Sequence, residues 1–179
     1  MDFERVDMRK ISDEEMMEAF KMSEIVFKLN HIMPNTDEYN ELVKDLFGDN
    51  IGENSQIMAP IAGAAFDRIK IGNNVFINSN SLLMARGGIT IDDDVMLAAN
   101  VQLLSNNHDE YDRQVLTCKP IHIKKGAWIG AGASILPGVT VGKYAIVGAG
   151  AIVTKDVGDY EVAVGIPAKI VKTLDKDKF

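Results

Sequence analysis

Cysteine is nearly absent from this chain. A single thiol, Cys118, excludes an intrachain disulfide. Positive charge is also in short supply: 19 Lys and Arg stand against 26 Asp and Glu, for a net charge of −7. That balance argues against non-specific nucleic-acid binding, which depends on cationic groups neutralising phosphate. No apolar run approaches the roughly 20 residues that a membrane-spanning helix requires. The opening MDFERVDMRK is charged where a secretory signal would be apolar. These absences lead to the expectation of a protein in the reducing cytoplasm, with neither a nucleic-acid nor a membrane partner. What remains is ordinary for a soluble domain: 179 residues, 46% hydrophobic and 25% charged.

What the chain does have is a period of six. From Ile71 it reads IGNNVF, INSNSL and LMARGG, then, after an inserted Ile89-Thr90, IDDDVM, LAANVQ and LLSNNH. The count resumes at Ile123 with IKKGAW, IGAGAS, ILPGVT, VGKYAI, VGAGAI and VTKDVG. The first position of all twelve hexads is aliphatic, and the fifth is Gly, Ala, Ser or Val in every one but LLSNNH, where Asn107 stands. Six matches neither the 3.6-residue turn of a helix nor a plain two-residue alternation. It fits short strands joined by tight turns, each side sending one aliphatic side chain into a narrow interior. Gly and Asn supply the turn conformations. Three hexads make a triangular coil, and stacked coils make a parallel β-helix that no coil could form alone. The alternative, buried strands of an α/β domain, would not hold twelve aliphatic residues in one register.

The ends do not repeat. Residues 1–48 read as a helical cap: Ser12 and Glu15 form a capping box, and Met16, Phe20, Ile25, Val26 and Leu29 recur at helical spacing. After Pro34, Asn35 or Thr36 caps a second helix, DEYNELVKDLF, ending at Gly48. The cap is expected to cover one end of the β-helix, residues 51–158, whose edge is otherwise open, with a place in an acceptor pocket as the alternative. In the tail, 159–179, Val162 and Val164 suggest a strand, Gly165 and Pro167 a turn, and DKDKF a mobile end.

The repeat breaks once, at SNNHDEYDR. Leu103 and Ile123 bracket a polar segment that cannot be the inward face of a coil, so residues 104–122 read as an extruded loop. His108 lies in it. Imidazole near neutral pH can accept a proton from a hydroxyl, which makes His108 the candidate general base. His31, at a helix end, reads as a cap or pocket wall, and His122, on the strand re-entering the coil, as structural.

With these features placed, the chain resembles the left-handed β-helix acetyltransferases of the hexapeptide-repeat superfamily, and within it the maltose and galactoside O-acetyltransferases. The resemblance is carried by the helical start with KLNH, the histidine loop, GAWIGAGASILPGVTVG, VGAGAIVTKDV and VGIPAKIVK. It implies an acetyl-CoA-dependent O-acetyltransferase acting on a hydroxyl of a sugar or glycoside, with His108 as base, no metal, and a homotrimer whose donor grooves lie between subunits. For the donor it implies Trp128, Ala131, Ala149, Thr154 and Lys155, with Lys169 and Lys172 near the phosphates. Ala131 stands where family members often place a serine. For the acceptor it implies Asn78 and Leu116. Arg86 stands where the sugar enzymes carry a carboxylate, so maltose and galactosides are not expected to be the best acceptors. A xenobiotic acetyltransferase and a non-catalytic β-helix scaffold are the other readings. A β-helix carbonic anhydrase would need three zinc-binding histidines, and the surroundings of the three present here do not resemble that arrangement.

Overall fold

A computed structural model describes residues 3–179. The hexads coil into a parallel β-helix of three faces. Face one stacks Ile69–Ile71, Ile89–Ile91, Ile121–Ile123 and Thr140–Val141. Face two stacks Gln56–Ile57, Phe76–Ile77, Met96–Leu97, Trp128–Ile129, Ile146–Val147 and Glu161–Val164. Face three stacks Ile61–Ala64, Ser81–Met84, Gln102–Leu104, Ser134–Ile135 and Ile152–Val153. All twelve first-position aliphatics point inward and are at most 5% exposed. The small fifth-position residues, among them Ala127, Ala133, Ala145 and Ala151, are wholly buried beside them.

The corners explain the Gly and Asn content. Asn54, Asn74 and Asp94 occupy the left-handed region, with φ of 57°, 55° and 60°, one above another on successive coils. Their side chains form a ladder, Asn54 Nδ2 donating to Asn74 Oδ1 at 3.4 Å and Asn74 Nδ2 to Asp94 Oδ1 at 3.1 Å. Gly130 is required for a different reason: a Cβ there would lie 2.6 Å from the backbone nitrogen of Ala149 on the next coil.

Helices α1 (Asp13–Leu29) and α2 (Asp37–Phe47) close the first coil. The capping box of Ser12 and Glu15 is formed, Thr36 caps α2, and α2 stops at Gly48 with φ 57°. Asn30 extends the β-helix by both its amide atoms: Nδ2 donates to Ile61 O at 2.8 Å and Oδ1 accepts from Ile61 N at 2.9 Å. Tyr39, Leu46, Phe47 and Phe66 complete the plug.

The expected apolar face of α1 is corrected in part. Leu29 is buried and Met22, Ile25 and Val26 pack on the core, but Met16 and Phe20 are 60% and 68% exposed. Nine residues are two and a half helical turns, so Met16 lies opposite Ile25 and Phe20 opposite Leu29. In the tail, Glu161–Val164 forms the expected strand, Lys169–Thr173 returns antiparallel to it, and DKDKF forms a turn that sets the Phe179 ring 4.8 Å from that of Tyr144.

Candidate active site

The extruded segment is an ordered hairpin rather than an irregular loop. Chain leaves the coil after Ser105 and returns at Lys119, whose N–H donates to Ser105 O at 2.9 Å. Ser105 is fully buried at this exit; its Oγ donates to Met84 O at 2.8 Å and accepts from Gly87 N at 2.9 Å. Strands Asn106–His108 and Val115–Cys118 pair antiparallel, and the N-terminal strand β1 (Glu4–Asp7) adds to the outer edge of the second. Val6, Leu116 and His108 form one cross-strand row. Two candidates from separate arguments, His108 and Leu116, are thus direct neighbours.

His108 is exposed and oriented. Its Nδ1 lies 2.6 Å from the backbone oxygen of Arg113. A carbonyl can only accept, so Nδ1 carries a proton, and in the neutral ring Nε2 then keeps its lone pair. That is the tautomer a general base needs. The turn that carries Arg113 is itself fixed. Asp109 Oδ1 accepts from Tyr111 N and Asp112 N at 2.9 and 3.0 Å, and Arg113 Nη1 donates to Asp109 O at 2.6 Å. These backbone donors, Asp112 first and then Tyr111, together with Arg5, hold the Asp109 carboxyl at about 2.

Arg86 lies at the corner between faces three and one, just below the hairpin exit. Its Nη2 donates to Glu15 Oε1 at 3.0 Å, and its Nε is buried with no partner. The backbone N–H of Ser12 and then Arg86 lower the Glu15 carboxyl below the usual range. The sequence pattern identified Ser12 and Glu15 only as a helix cap; the second role of Glu15 depends on a contact 71 residues away. Asn78 sits at another corner, between faces two and three, its Oδ1 accepting from Ser79 N at 2.8 Å.

The donor candidates divide the same way. Trp128 points outward from face two and is 46% exposed. Ala131 and Ala149 follow it at the corner between faces two and three, stacked by the bond from Gly150 N to Ala131 O at 2.8 Å. Thr154 and Lys155 occupy the opposite edge of face three, on the corner from which the hairpin leaves. Lys169 and Lys172 lie exposed on the last strand. Face three therefore separates Ala131, Ala149 and Asn78 from His108, Thr154 and Lys155 within one chain.

The other two histidines fall where expected. His122 Nε2 meets Asp92 Oδ1 at 2.9 Å on face one, and His31 caps α1 through Phe27 O at 2.7 Å. The sequence reading missed Arg5, Asp7 and Arg9. The strand holding Arg5 and Asp7, ERVD, has one apolar residue in four and cannot be told from a charged terminus, and Arg9 lies just beyond it.

Comparison with known proteins agrees with this architecture. Residues 68–105 match the family described as hexapeptide repeat of succinyl-transferase, and residues 120–155 match bacterial transferase hexapeptide (six repeats). The hairpin lies in the gap between the two matches. Galactoside O-acetyltransferase of Escherichia coli (strain K12) is 34% identical over 160 residues, 86% of this chain and 78% of that protein. The crystal structure of a maltose O-acetyltransferase from Clostridium difficile 630 superposes with a TM-score of 0.86 at 29% identity, covering 92% of this chain and 90% of that one. A galactoside acetyltransferase in complex with coenzyme A gives the same TM-score at 28% identity, covering 94% and 86%. The coil of this chain is the left-handed parallel β-helix of those structures.

Proposed function

Because the chain belongs to the hexapeptide-repeat acetyltransferase family, and is an acyltransferase, we propose that it transfers an acetyl group from acetyl-CoA to a hydroxyl of a sugar or glycoside, with His108 as general base. The observation that carries this reading is the bond from His108 Nδ1 to Arg113 O, which leaves Nε2 free to take a proton from an acceptor hydroxyl. Acetyl-CoA, when bound, supplies the thioester carbonyl that the deprotonated oxygen attacks. Leu116 lines the acceptor side beside His108, and Asn78 and Arg86 supply polar contacts.

The chain has a surface suited to the donor. At the corner of Ala131, Gly132, Ala149 and Gly150 no side chain is larger than a methyl, and a Cβ added to Gly132 or Gly150 would meet nothing within 4 Å. A long unbranched thiol arm can lie against such a corner. Lys155, Lys169 and Lys172 carry the positive charge for phosphates.

The separation of the candidates across face three supports a site shared between copies. The outward residues on face one are Lys70, Thr90, His122 and Thr140, whereas face two shows Phe76, Met96, Trp128 and Ile146 in one column. Face three is mixed outside, with Leu82, Met84, Leu104 and Ile152 beside Gln102 and Ser134. A three-sided rod with one polar, one apolar and one mixed face suits a cyclic trimer, in which each subunit presents two faces to its neighbours. Ala131 and Ala149 of one copy then face the His108 corner of the next. The setting proposed is the cytoplasm, where acetyl-CoA is available; no helix among the described residues is long and apolar enough to cross a membrane.

The test is a panel of sugars and glycosides with acetyl-CoA, reading released thiol, for wild type and His108→Ala. Removing general-base help lowers turnover by about 10²–10⁴, with melting temperature and coenzyme A binding unchanged. Near-wild-type turnover in His108→Ala would remove His108 from the chemistry. No acceptor-dependent thiol release in either form would favour a scaffold.

A further inference from the structure

We infer that the N-terminal strand positions the catalytic hairpin, with Arg5 as the residue that holds His108 in its working tautomer through Asp109 and Arg113. This deepens the reading above and rests on His108 being the base.

The contacts form one connected path. Arg5 Nη1 donates to Asp109 Oδ2 at 2.6 Å. The other oxygen of that carboxylate accepts the N–H groups of Tyr111 and Asp112, so a single side chain ties β1 to the turn. The Asp109 carbonyl then accepts from Arg113 Nη1, and the Arg113 carbonyl accepts from His108 Nδ1, both at 2.6 Å. A second tie runs parallel to the first. Arg9 Nη2 donates to Asp112 Oδ2 at 2.7 Å, while Arg9 Nε and Nη2 grip Asp7 at 2.7 and 3.0 Å. No other described side chain makes an ion pair with the hairpin turn.

The hairpin needs such ties. It stands off the coil, and its tip residue Tyr111 is 94% exposed. Two short strands alone are marginal in water, and a third strand makes them a stable sheet. Main-chain pairing of β1 supplies that third strand. The arginines add something else, because exposed ion pairs contribute little to stability. They fix the turn so that the Arg113 carbonyl stays on Nδ1. Without that acceptor the proton could sit on either ring nitrogen, and the fraction carrying a free Nε2 would fall. A small displacement of a catalytic group can lower a rate by up to about 10²-fold.

The experiment compares wild type, Arg5→Ala, Arg5→Lys, Asp109→Ala and His108→Ala as full chains. Two readouts are taken: kcat and KM for acetyl-CoA, and the ¹⁵N ring shifts of His108, which report the tautomer without turnover. In wild type His108 should be protonated on Nδ1 alone. Arg5→Ala and Asp109→Ala should show mixed tautomers and a kcat about ten- to a hundredfold lower, at unchanged KM for acetyl-CoA; Arg5→Lys should recover part of both. Arg5→Ala with the wild-type tautomer and kcat would overturn the inference. A mixed tautomer in Arg5→Ala together with full activity in His108→Ala would uphold the clamp and reject His108 as the base. A folding defect would appear as a lowered melting temperature in Arg5→Lys as well; loss of kcat at wild-type tautomer in that case would also count against the clamp.

Discussion

Glu15, in the first turn of α1, lies 3.0 Å from Arg86, at the corner below the hairpin that carries His108. A cation that the sequence placed toward the acceptor is therefore held by a carboxylate from the helical cap. Arg86→Asp alone would set two carboxylates against each other. We predict that Glu15→Gln/Arg86→Asp raises kcat/KM for galactosides and maltose by about ten- to a hundredfold. An unmatched polar contact costs about 1–3 kcal/mol, and a guanidinium offers no lone pair to a sugar hydroxyl. Steady-state kinetics on several glycosides measure it. If wild type already prefers these sugars and the double variant behaves identically, Arg86 serves Glu15 only.

Much of the β-helix was legible because its rule is local. Each of the twelve aliphatic positions, Ile71 to Val153, repeats the same demand on its own neighbours, and a fixed register needs no knowledge of distant chain. The hairpin was legible as a break, and His108 as the imidazole within it. Its partners were not. Pairing of Glu4 with Cys118 and of Arg5 with Asp109 joins segments far apart in sequence, and four residues cannot carry a detectable strand pattern. Met16 and Phe20 misled for the opposite reason: helical spacing was present, but on the far side of α1 from Ile25 and Leu29.

Removal of the Tyr39 hydroxyl should loosen the cap. That group is buried, donates to Ile57 O and accepts from Ala59 N, both at 2.8 Å. Tyr39→Phe leaves the Ile57 carbonyl and the Ala59 N–H without this partner, at a cost of about 1–3 kcal/mol. Urea unfolding should show a lower midpoint at unchanged slope. An unchanged midpoint would mean that water replaces the hydroxyl.

The apolar column on face two gives a test of assembly. Met96 is 52% exposed and flanked in the column by Phe76 and Trp128. Light scattering of wild type should give about three times 19.6 kDa, a closed cyclic trimer. Met96→Glu should lower that mass, since an unpaired carboxylate would be buried at the contact. A monomeric wild type would contradict the shared site.

Asp109 links the hairpin to pH. Its carboxyl is held at about 2, below its ordinary 3.8, so the charged form is favoured by folding. The stabilisation is present above pH 3.8 and is lost as pH falls through about 2. Hydrogen exchange at the amides of Tyr111 and Asp112 should be faster in Asp109→Ala than in wild type near neutral pH. That difference should shrink as the pH approaches 2. A difference independent of pH would show that the charge of Asp109 does not fix the turn.

The clasp between Ser105 and Lys119 separates two properties of the chain that are usually entangled. Whatever lies between those residues begins and ends at one hydrogen-bonded point, and the coils above and below stack without it, Ile121 to Ile123 resuming the pairing with Ile89 to Ile91. For a loop closed in this way, a doubling of length adds only about 0.6 kcal/mol of closure entropy. The rod is thus a socket, and the segment it presents can be lengthened, shortened or exchanged while the aliphatic register beneath it stays the same.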